Sequence, residues 1–197
     1  MNKMSKQNNI KLHMDSKSGL VYKDESHIVN KDAELARYLA HNNTLSNSRY
    51  YDYQKRIFDT FVSQFIQGKI LDYGCGEEAP LKAISQLDMA CYDLYFFKDE
   101  KVLKTTYDTI ILIEVIEHFS QPNIMFKQLV DLLNPKGRLI IQTEFKPAFE
   151  VIHDWWYIRD ETHLSFFDEK VFHYFADKHH LKVIYSNQKN RIVLEKA

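Results

Sequence analysis

The chain has 197 residues, which suffices for one domain with a substantial core and is short for two. Hydrophobic residues make up 45% and charged residues 27%, the balance of a globular domain. The net charge of −1 lacks the basic excess by which nucleic-acid binders neutralise phosphates, so we expect no nucleic-acid partner.

The N-terminal residues 1–19 are polar and have no periodicity, which predicts a flexible tail. They contain no apolar stretch of the kind that forms a signal peptide, and the longest apolar runs of the chain are only of strand length. We therefore expect a cytoplasmic protein without membrane contact. Cys75 and Cys91 are too few for a disulfide framework or a four-ligand zinc site, and both are expected to be buried free thiols.

Residues 20–68 are predicted to form an N-terminal helical cap. Leu20–Tyr22 is expected to be a short strand or clasp. A first helix, capped by Asn30 or Asp32, should reach about Ala40. A second helix is predicted from about Ser48 to Phe65, because its apolar residues recur on one helical face.

Residues 69–197 alternate between strands and helices, which predicts one α/β domain with a mostly parallel sheet and helices on both faces. The last two strands are joined by a polar turn and are expected to form an antiparallel hairpin. Only 13 residues separate Asp93 from Tyr107, so the middle region is shortened. The predicted strands are 69–73, 89–92, 107–113, 138–143, 182–185 and 191–194, and the predicted helices start at Pro80 and cover about 121–133 and 168–179.

A glycine turn follows the first strand of this domain. Gly74, Cys75 and Gly76 allow a tight turn and a close approach of backbone N–H groups to a ligand. Asp93 ends the second strand, where a carboxylate can accept hydrogen bonds from ribose hydroxyls. The turn and Asp93 together indicate a cofactor that contains a nucleoside. Because Ala79 completes the pattern G-x-G-x-x-A, an NAD-dependent oxidoreductase is one alternative.

Other features favour S-adenosylmethionine. Asp72 lies two residues before Gly74, where its carboxylate can reach an ammonium group. Glu77 and Glu78 would repel a pyrophosphate. The strand that ends at residue 113 runs into the sequence EVIEH, and the sheet closes with a hairpin.

The segments ILDYGCG, YDTIILIEVIEHF, LLNPKGRLIIQTEF and WWYIRDETHLSFF, in this order, resemble the class I S-adenosylmethionine-dependent methyltransferases. The resemblance covers about residues 35–197. Within this family, the segments most resemble small bacterial methyltransferases of the ubiquinone type. It implies a Rossmann-like fold and methyl transfer to a small molecule by in-line displacement. The implied cofactor residues are Asp72, Gly74, Cys75 and Gly76 for the methionine part, Asp93 for the ribose, and Glu114 and Val115 beside the cofactor.

Two departures from the resemblance matter. Glu78 stands where many relatives have a small residue, and it would be strained if its φ were positive. The shortened middle abbreviates the side of the pocket that normally holds adenine. These departures leave open a second alternative, a regulatory protein that binds S-adenosylmethionine without catalysis. The stretch HMDSKSGLVY has no cysteine where relatives often carry a zinc knuckle, so no structural zinc is expected.

The candidate catalytic residues are His163, as a general base, and Asp160, as its carboxylate partner. The alternative is that the two residues hold their loop in place. We expect no metal site, because the histidines lack the sequence spacing of metal ligands. The acceptor is expected to be small and apolar or aromatic, with contacts from Tyr38, His41, Asn42, His118, Trp155, Trp156 and Arg159.

Overall fold

The computed structural model describes residues 10–41 and 43–197. The strands are, in chain order, β1 (Leu12–Met14), β2 (Val21–Lys23), β3 (Ile70–Tyr73), β4 (Met89–Tyr92), β5 (Tyr107–Ile113), β6 (Leu133–Gln142), β7 (Ser165–Phe166), β8 (Leu181–Ser186) and β9 (Arg191–Lys196). The α-helices are α1 (Lys31–Leu39), α2 (Ser48–Thr60), α3 (Pro80–Ser85), α4 (Pro122–Asp131) and α5 (Glu169–Lys178).

The main sheet has six strands in the order β4-β3-β5-β6-β9-β8. The first four are parallel, and β9 runs antiparallel to both of its neighbours. The predicted α/β class, the mostly parallel sheet and the C-terminal hairpin are confirmed. From β3 the chain passes to β4 at one edge of the sheet. It then returns to β5 on the other side of β3 and continues to β6. This reversal opens a crevice at the carboxyl ends of β3 and β5.

Helices cover both faces of the sheet, as predicted. The near-continuous apolar run of β5 divides between the faces: Ile110 and Leu112 contribute to one core cluster and Ile111 to the other. The first cluster includes Phe126 of α4 and Phe175 of α5. Helix α2 contributes Ile57 to the second cluster, so this part of the predicted helical cap packs directly on the sheet.

The middle region is shortened, as the sequence predicts. Between β4 and β5 the chain forms a single short 3-10 helix, Glu100–Lys104, and β4 is the edge strand. The carboxyl end of β4 is therefore open on its outer side.

A second, three-stranded sheet has the order β1-β2-β7. The predicted tail over residues 1–19 is wrong for residues 12–14, which form β1, whereas residues 1–9 lie outside the described residues. Buried Val21 of β2 packs with Ile152 and Tyr157 from the segment after β6. The strands of this sheet are too short to give a periodic pattern, and β2 pairs with a distant part of the chain, so sequence periodicity does not reveal it.

Two element boundaries differ from prediction by more than two residues. Helix α2 ends at Thr60, because Phe61 leaves the helical region with φ −140 and a 3-10 turn follows. Strand β6 begins at Leu133, because Leu133 already pairs with Tyr107 of β5 and the register of the pairing then shifts before Arg138. Within the described part of the chain, no helix has the length and apolar character needed to cross a membrane.

Lys23, the last residue of β2 in the small sheet, is buried, with 7% of its surface exposed. Its ammonium donates a hydrogen bond of 2.6 Å to the backbone carbonyl of Asp160, and burial lowers its pKa to about 8 from 10.5. Between these two pH values the unfolded chain binds this proton and the folded chain releases it. The Lys23 contribution to folding therefore becomes more favourable as the pH rises through this window.

We predict that Lys23→Met changes the pH dependence of stability. Relative to the variant, the parent protein should gain free energy of unfolding between pH 8 and pH 10.5. The measurement is urea denaturation of both proteins across that range. A difference between parent and variant that does not change with pH would contradict the prediction.

Candidate functional site

A cavity of about 1280 Å³ opens at the carboxyl ends of β3, β4 and β5. Helix α1 and the segment between β6 and β7 border it. The predicted cofactor residues all line this cavity: Asp72, Gly74, Cys75, Gly76, Asp93, Glu114 and Val115. The sequence therefore identified one wall of the cavity correctly, while the role of each residue stays a prediction.

The glycine turn is fitted against the end of β5. Gly74 has φ +78, and a Cβ atom there would lie 2.5 Å from Cγ2 of Val115. Only glycine satisfies both the backbone conformation and this close approach. Asp93 holds the same turn, because its Oδ2 accepts a 3.0 Å hydrogen bond from the Gly76 N–H while its Oδ1 accepts one of 2.8 Å from the Tyr95 N–H.

Asp72 is 3% exposed, and its Oδ2 is buried without a hydrogen-bond partner among the described residues. Burial raises the pKa of its carboxyl to about 8, with smaller contributions from Cys91 and Asp93. An unpaired buried carboxylate is costly unless a cation or donor meets it. Asp72 is therefore suited to a positively charged part of a ligand.

Glu78 does not carry the strain considered from the sequence. The positive φ falls on Ala79, at 44, immediately before α3. The Glu78 carboxylate instead accepts a hydrogen bond from the Leu45 N–H. Glu78 thus fastens the loop between α1 and α2 to the glycine turn.

Aromatic residues line the cavity where the sheet is shortened. Tyr95 and Phe96 follow β4 and line the cavity together with Leu94. The Tyr95 ring lies 5.6 Å from that of Tyr38 on α1. The loop after β4 and helix α1 therefore border the side that would otherwise stay open.

Helix α1 is held over the cavity by two acidic contacts. Glu34 accepts hydrogen bonds from the hydroxyl of Tyr38 at 3.1 Å and that of Tyr95 at 2.7 Å. Arg37 donates to Asp160 at 2.7 Å. None of the α1 residues is fully buried, so these polar contacts and the ring packing set the position of the helix.

Asp160 and His163 both line the cavity, but they do not form the predicted carboxylate–imidazole pair. Asp160 accepts from Arg37 and from the hydroxyl of Thr162 at 2.8 Å. These bonds outweigh burial and hold its pKa well below the usual range. His163 Nδ1 lies 3.0 Å from the Tyr157 carbonyl, to which it donates, so its Nε2 carries the free lone pair.

The predicted substrate contacts fall into three groups. Trp155 packs into the small core beside Phe166, with ring centroids 5.8 Å apart, and does not line the cavity. Asn42 lies outside the described residues. The others line the cavity, with Trp156 exposed by 62% at its mouth: Tyr38, His41, His118, Trp156 and Arg159.

A buried pair of carboxyl groups surrounds one phenol. The hydroxyl oxygen of Tyr157 lies 2.6 Å from Oε1 of Glu117 and 2.9 Å from Oε2 of Glu114. Burial raises the pKa of both carboxyls, that of Glu114 to about 8, and each carboxyl acts on the other. Since the hydroxyl has one proton, it donates to only one of them. The second carboxyl is satisfied only by a proton of its own or by a nearby positive charge, and the raised pKa values favour a proton held between the two carboxyls.

Glu114 also has a strained backbone, with φ 55 directly after β5. Its Oε1 accepts a 3.1 Å hydrogen bond from Gln142, at the end of β6. A residue other than glycine keeps this conformation only where neighbouring structure enforces it.

Three side chains beside this pair have the geometry to hold a metal ion. One ligand atom from each of Glu117, His118 and His163 lies within 4.8 Å of the other two. This differs from the prediction that the histidines lack ligand spacing. His118 and His163 are brought together by the fold and not by their positions in the chain, with ring centroids 4.9 Å apart.

Sequence reasoning gave no role in the site to several residues that shape it. Glu117 and Tyr157 belong to segments that the sequence places at the crevice, but the hydrogen bond between them was not predicted. The sequence gives no signal for contacts that cross the sheet or come from the small core. The residues missed are Glu34, Arg37, Tyr53, Gln142 and Thr143.

Solved structures share this fold at low identity. The O-methyltransferase family protein from Burkholderia thailandensis is 13% identical with a TM-score of 0.57, covering 83% of this chain and 63% of its own. The pyocyanin biosynthetic protein PhzM is 14% identical with a TM-score of 0.53, covering 85% and 59%. The N-methyltransferase NodS from Bradyrhizobium japonicum WM9, solved with S-adenosyl-L-homocysteine, is 13% identical with a TM-score of 0.53, covering 83% and 97%.

The chain thus spans about 60% of the length of the first two of these proteins. No curated protein matches its sequence. A family model described as a methyltransferase domain matches residues 25–186, which includes α1, the glycine turn and the whole cavity wall. The match begins inside the predicted cap of residues 20–68. The chain belongs to the methyltransferase domain family.

Proposed function

We propose that the protein transfers a methyl group from S-adenosylmethionine to a small acceptor that is apolar or aromatic. The observation that carries the proposal is the unpaired buried carboxylate of Asp72 beside the glycine turn, in a chain of the methyltransferase domain family. The acceptor and the activity of the whole protein are part of the proposal.

The cavity residues fit this cofactor. Asp72 offers a buried carboxyl group that becomes negatively charged when it meets the ammonium of the methionine part. Gly76 has no atom within 4 Å of the place of a Cβ, so its backbone is open to a ligand. Asp93 retains acceptor capacity for ribose hydroxyls beyond its bonds to backbone N–H groups.

When bound, S-adenosylmethionine supplies a methyl group on a positively charged sulfur, whose departure needs no acid. The protein's part is to align the acceptor with that carbon and to exclude water. Helix α1, fastened through Arg37 and Glu34, covers the cavity for this purpose. Asp160 acts as a positioning residue of this cover, and His163 presents an unprotonated Nε2 to the cavity side of the loop.

Aromatic side chains at the cavity mouth support an apolar or aromatic acceptor. Trp156 is largely exposed, and Tyr38 packs edge-on against His118 at 5.3 Å. Flat rings of this kind offer stacking surfaces to a planar ligand.

Calorimetry with S-adenosylmethionine and S-adenosylhomocysteine tests the proposal. Both should bind with one site per chain, and NAD should not compete. Absence of binding by both would refute methyl transfer. Competition by NAD would favour an oxidoreductase, and binding without turnover across a broad acceptor panel would favour a regulatory protein.

One prediction about the proposed cofactor site concerns the proton on Asp72. With a pKa of about 8, this carboxyl is protonated in the free protein at pH 7. A positively charged ligand group favours the carboxylate, so binding of S-adenosylhomocysteine at pH 7 should release about one proton per site. The release is measured by calorimetry in two buffers that differ in ionisation enthalpy.

Asp72→Asn provides the control for this measurement. The variant keeps the size of the side chain but has no proton to release. Equal proton release by the parent and by a variant that still binds would show that another group titrates.

Another prediction about the proposed cofactor site concerns Asp93. Asp93→Asn removes one charged acceptor near the ribose and should weaken S-adenosylhomocysteine binding by about 10- to 100-fold, since hydrogen bonds to a charged group contribute about 1.5–3 kcal/mol. Asp88→Asn is the matched control, because Asp88 is exposed just before β4. Equal dissociation constants for both variants would contradict the assigned role.

A further inference from the structure

The cluster of Glu117, His118 and His163 is not used by the cofactor contacts described above. Its members come from two parts of the chain, the short 3-10 helix after β5 and the loop before β7. One potential ligand atom of each residue lies within 4.8 Å of the other two. Ligand atoms held at about 2.0–2.2 Å from one ion lie closer together than this limit, so the three side chains would have to move inward to bind an ion.

Both imidazole rings are fixed in the orientation that frees Nε2. The Nδ1 atom of His118 lies 2.9 Å from the Thr162 carbonyl, and that of His163 lies 3.0 Å from the Tyr157 carbonyl. Since a carbonyl can only accept, Nδ1 is the protonated nitrogen in each ring and Nε2 keeps its lone pair. Metal-binding histidines are oriented by the same kind of contact.

Glu117 supplies an independent observation. Its side chain is 0% exposed, and its Oε2 has no hydrogen-bond partner among the described residues. Its Oε1 accepts from Tyr157, which fixes the carboxylate with the unpaired oxygen free. A buried carboxylate oxygen in this state lacks a donor or a cation.

We propose that Glu117, His118 and His163 bind a divalent transition-metal ion, with Zn²⁺ as the reference case. Two imidazole nitrogens and one carboxylate oxygen form a ligand set that suits Zn²⁺ or Fe²⁺ and disfavours Mg²⁺ and Ca²⁺, which prefer oxygen ligands. The ion would also place a positive charge beside the two buried carboxyls of Glu114 and Glu117. The spacing of the histidines in the sequence predicted no metal site, whereas the three side chains that the fold brings together favour one.

The metal site also indicates the chemical class of the methyl acceptor, an inference that rests on the proposed function. His118 and His163 line the same cavity as Glu114 and Asp72. Three protein ligands leave at least one position of the ion open to that cavity. An oxygen of the acceptor is the natural ligand for this position, which favours a hydroxyl-bearing acceptor over a purely apolar one.

The test is calorimetric titration of the protein, freed of metal with a chelator, with ZnCl2 and separately with MgCl2. We expect one Zn²⁺ per chain and much weaker binding of Mg²⁺. His163→Ala and Glu117→Gln should each weaken Zn²⁺ binding by about 100-fold or more, since loss of even an outer partner costs 10- to 100-fold. His153→Ala is the matched control, because His153 is exposed and does not line the cavity.

Co²⁺ gives a second readout, because its visible absorption reports nitrogen and oxygen ligands. The spectrum of the parent should persist in His153→Ala and be lost in His163→Ala. Zn²⁺ binding that is equal in all variants, or that is lost in His153→Ala, would overturn the proposal, as would tight Mg²⁺ with weak Zn²⁺ binding. The titrations need neither cofactor nor acceptor, so failure of methyl transfer does not affect them.

Thermal unfolding of each variant shows whether it is folded at the assay temperature. If His163→Ala unfolds at the assay temperature, Glu117→Gln takes its place, since it conserves shape and the Oε1 contact to Tyr157. Unchanged Zn²⁺ affinity in a folded Glu117→Gln variant contradicts the site.

Discussion

Two carboxyl groups buried around one phenolic oxygen dominate the energetics of the site. Tyr157 lies between Glu114 and Glu117, at 2.9 and 2.6 Å. Taking two carboxylates out of water costs several kcal/mol each unless donors or cations compensate. The structure meets part of that cost with Gln142 and the phenol. The rest of the cost of burying these two carboxyls has no compensating contact among the described residues, which makes this corner of the cavity a place where a proton or a cation is stabilised.

The same contacts connect the layers of the molecule. Glu114 and Glu117 follow β5 in the main sheet, and Tyr157 belongs to the small core that packs beneath β2 and β7. The Leu164 N–H donates to the Glu117 carbonyl at 2.7 Å, which adds a backbone link between the two parts. The cavity therefore depends on the docking of the small sheet as well as on the Rossmann-like scaffold.

The sequence predicted the scaffold well, because local patterns determine it. The run Ile110–Leu112, the glycine turn and the polar turn of the hairpin each act over a few residues. The shortened middle followed from counting residues after Asp93. Strand β1 and the clamp of Arg37 on Asp160 depend on partners far away in the chain, and no local pattern encodes them.

The candidate site likewise has one part that local sequence patterns predict and one part that depends on contacts between distant residues. The wall formed by Asp72, Gly74 and Asp93 was found from spacing, since one βαβ unit carries it. The grouping of His118 with His163 was not, because it requires the loop before β7 to fold back over the end of β5. Similarly, Trp155 and Trp156 are adjacent in sequence, yet one is packed into the small core and the other lies at the cavity mouth.

The bond from Lys23 to the Asp160 carbonyl spans 137 residues of chain. Closing so long a loop costs conformational entropy, which the docking of the small sheet at the rim of the cavity must offset. Local unfolding of the small sheet would admit ligands while the Rossmann-like core stays intact, so the route into the site is a matter of partial stability as much as of shape.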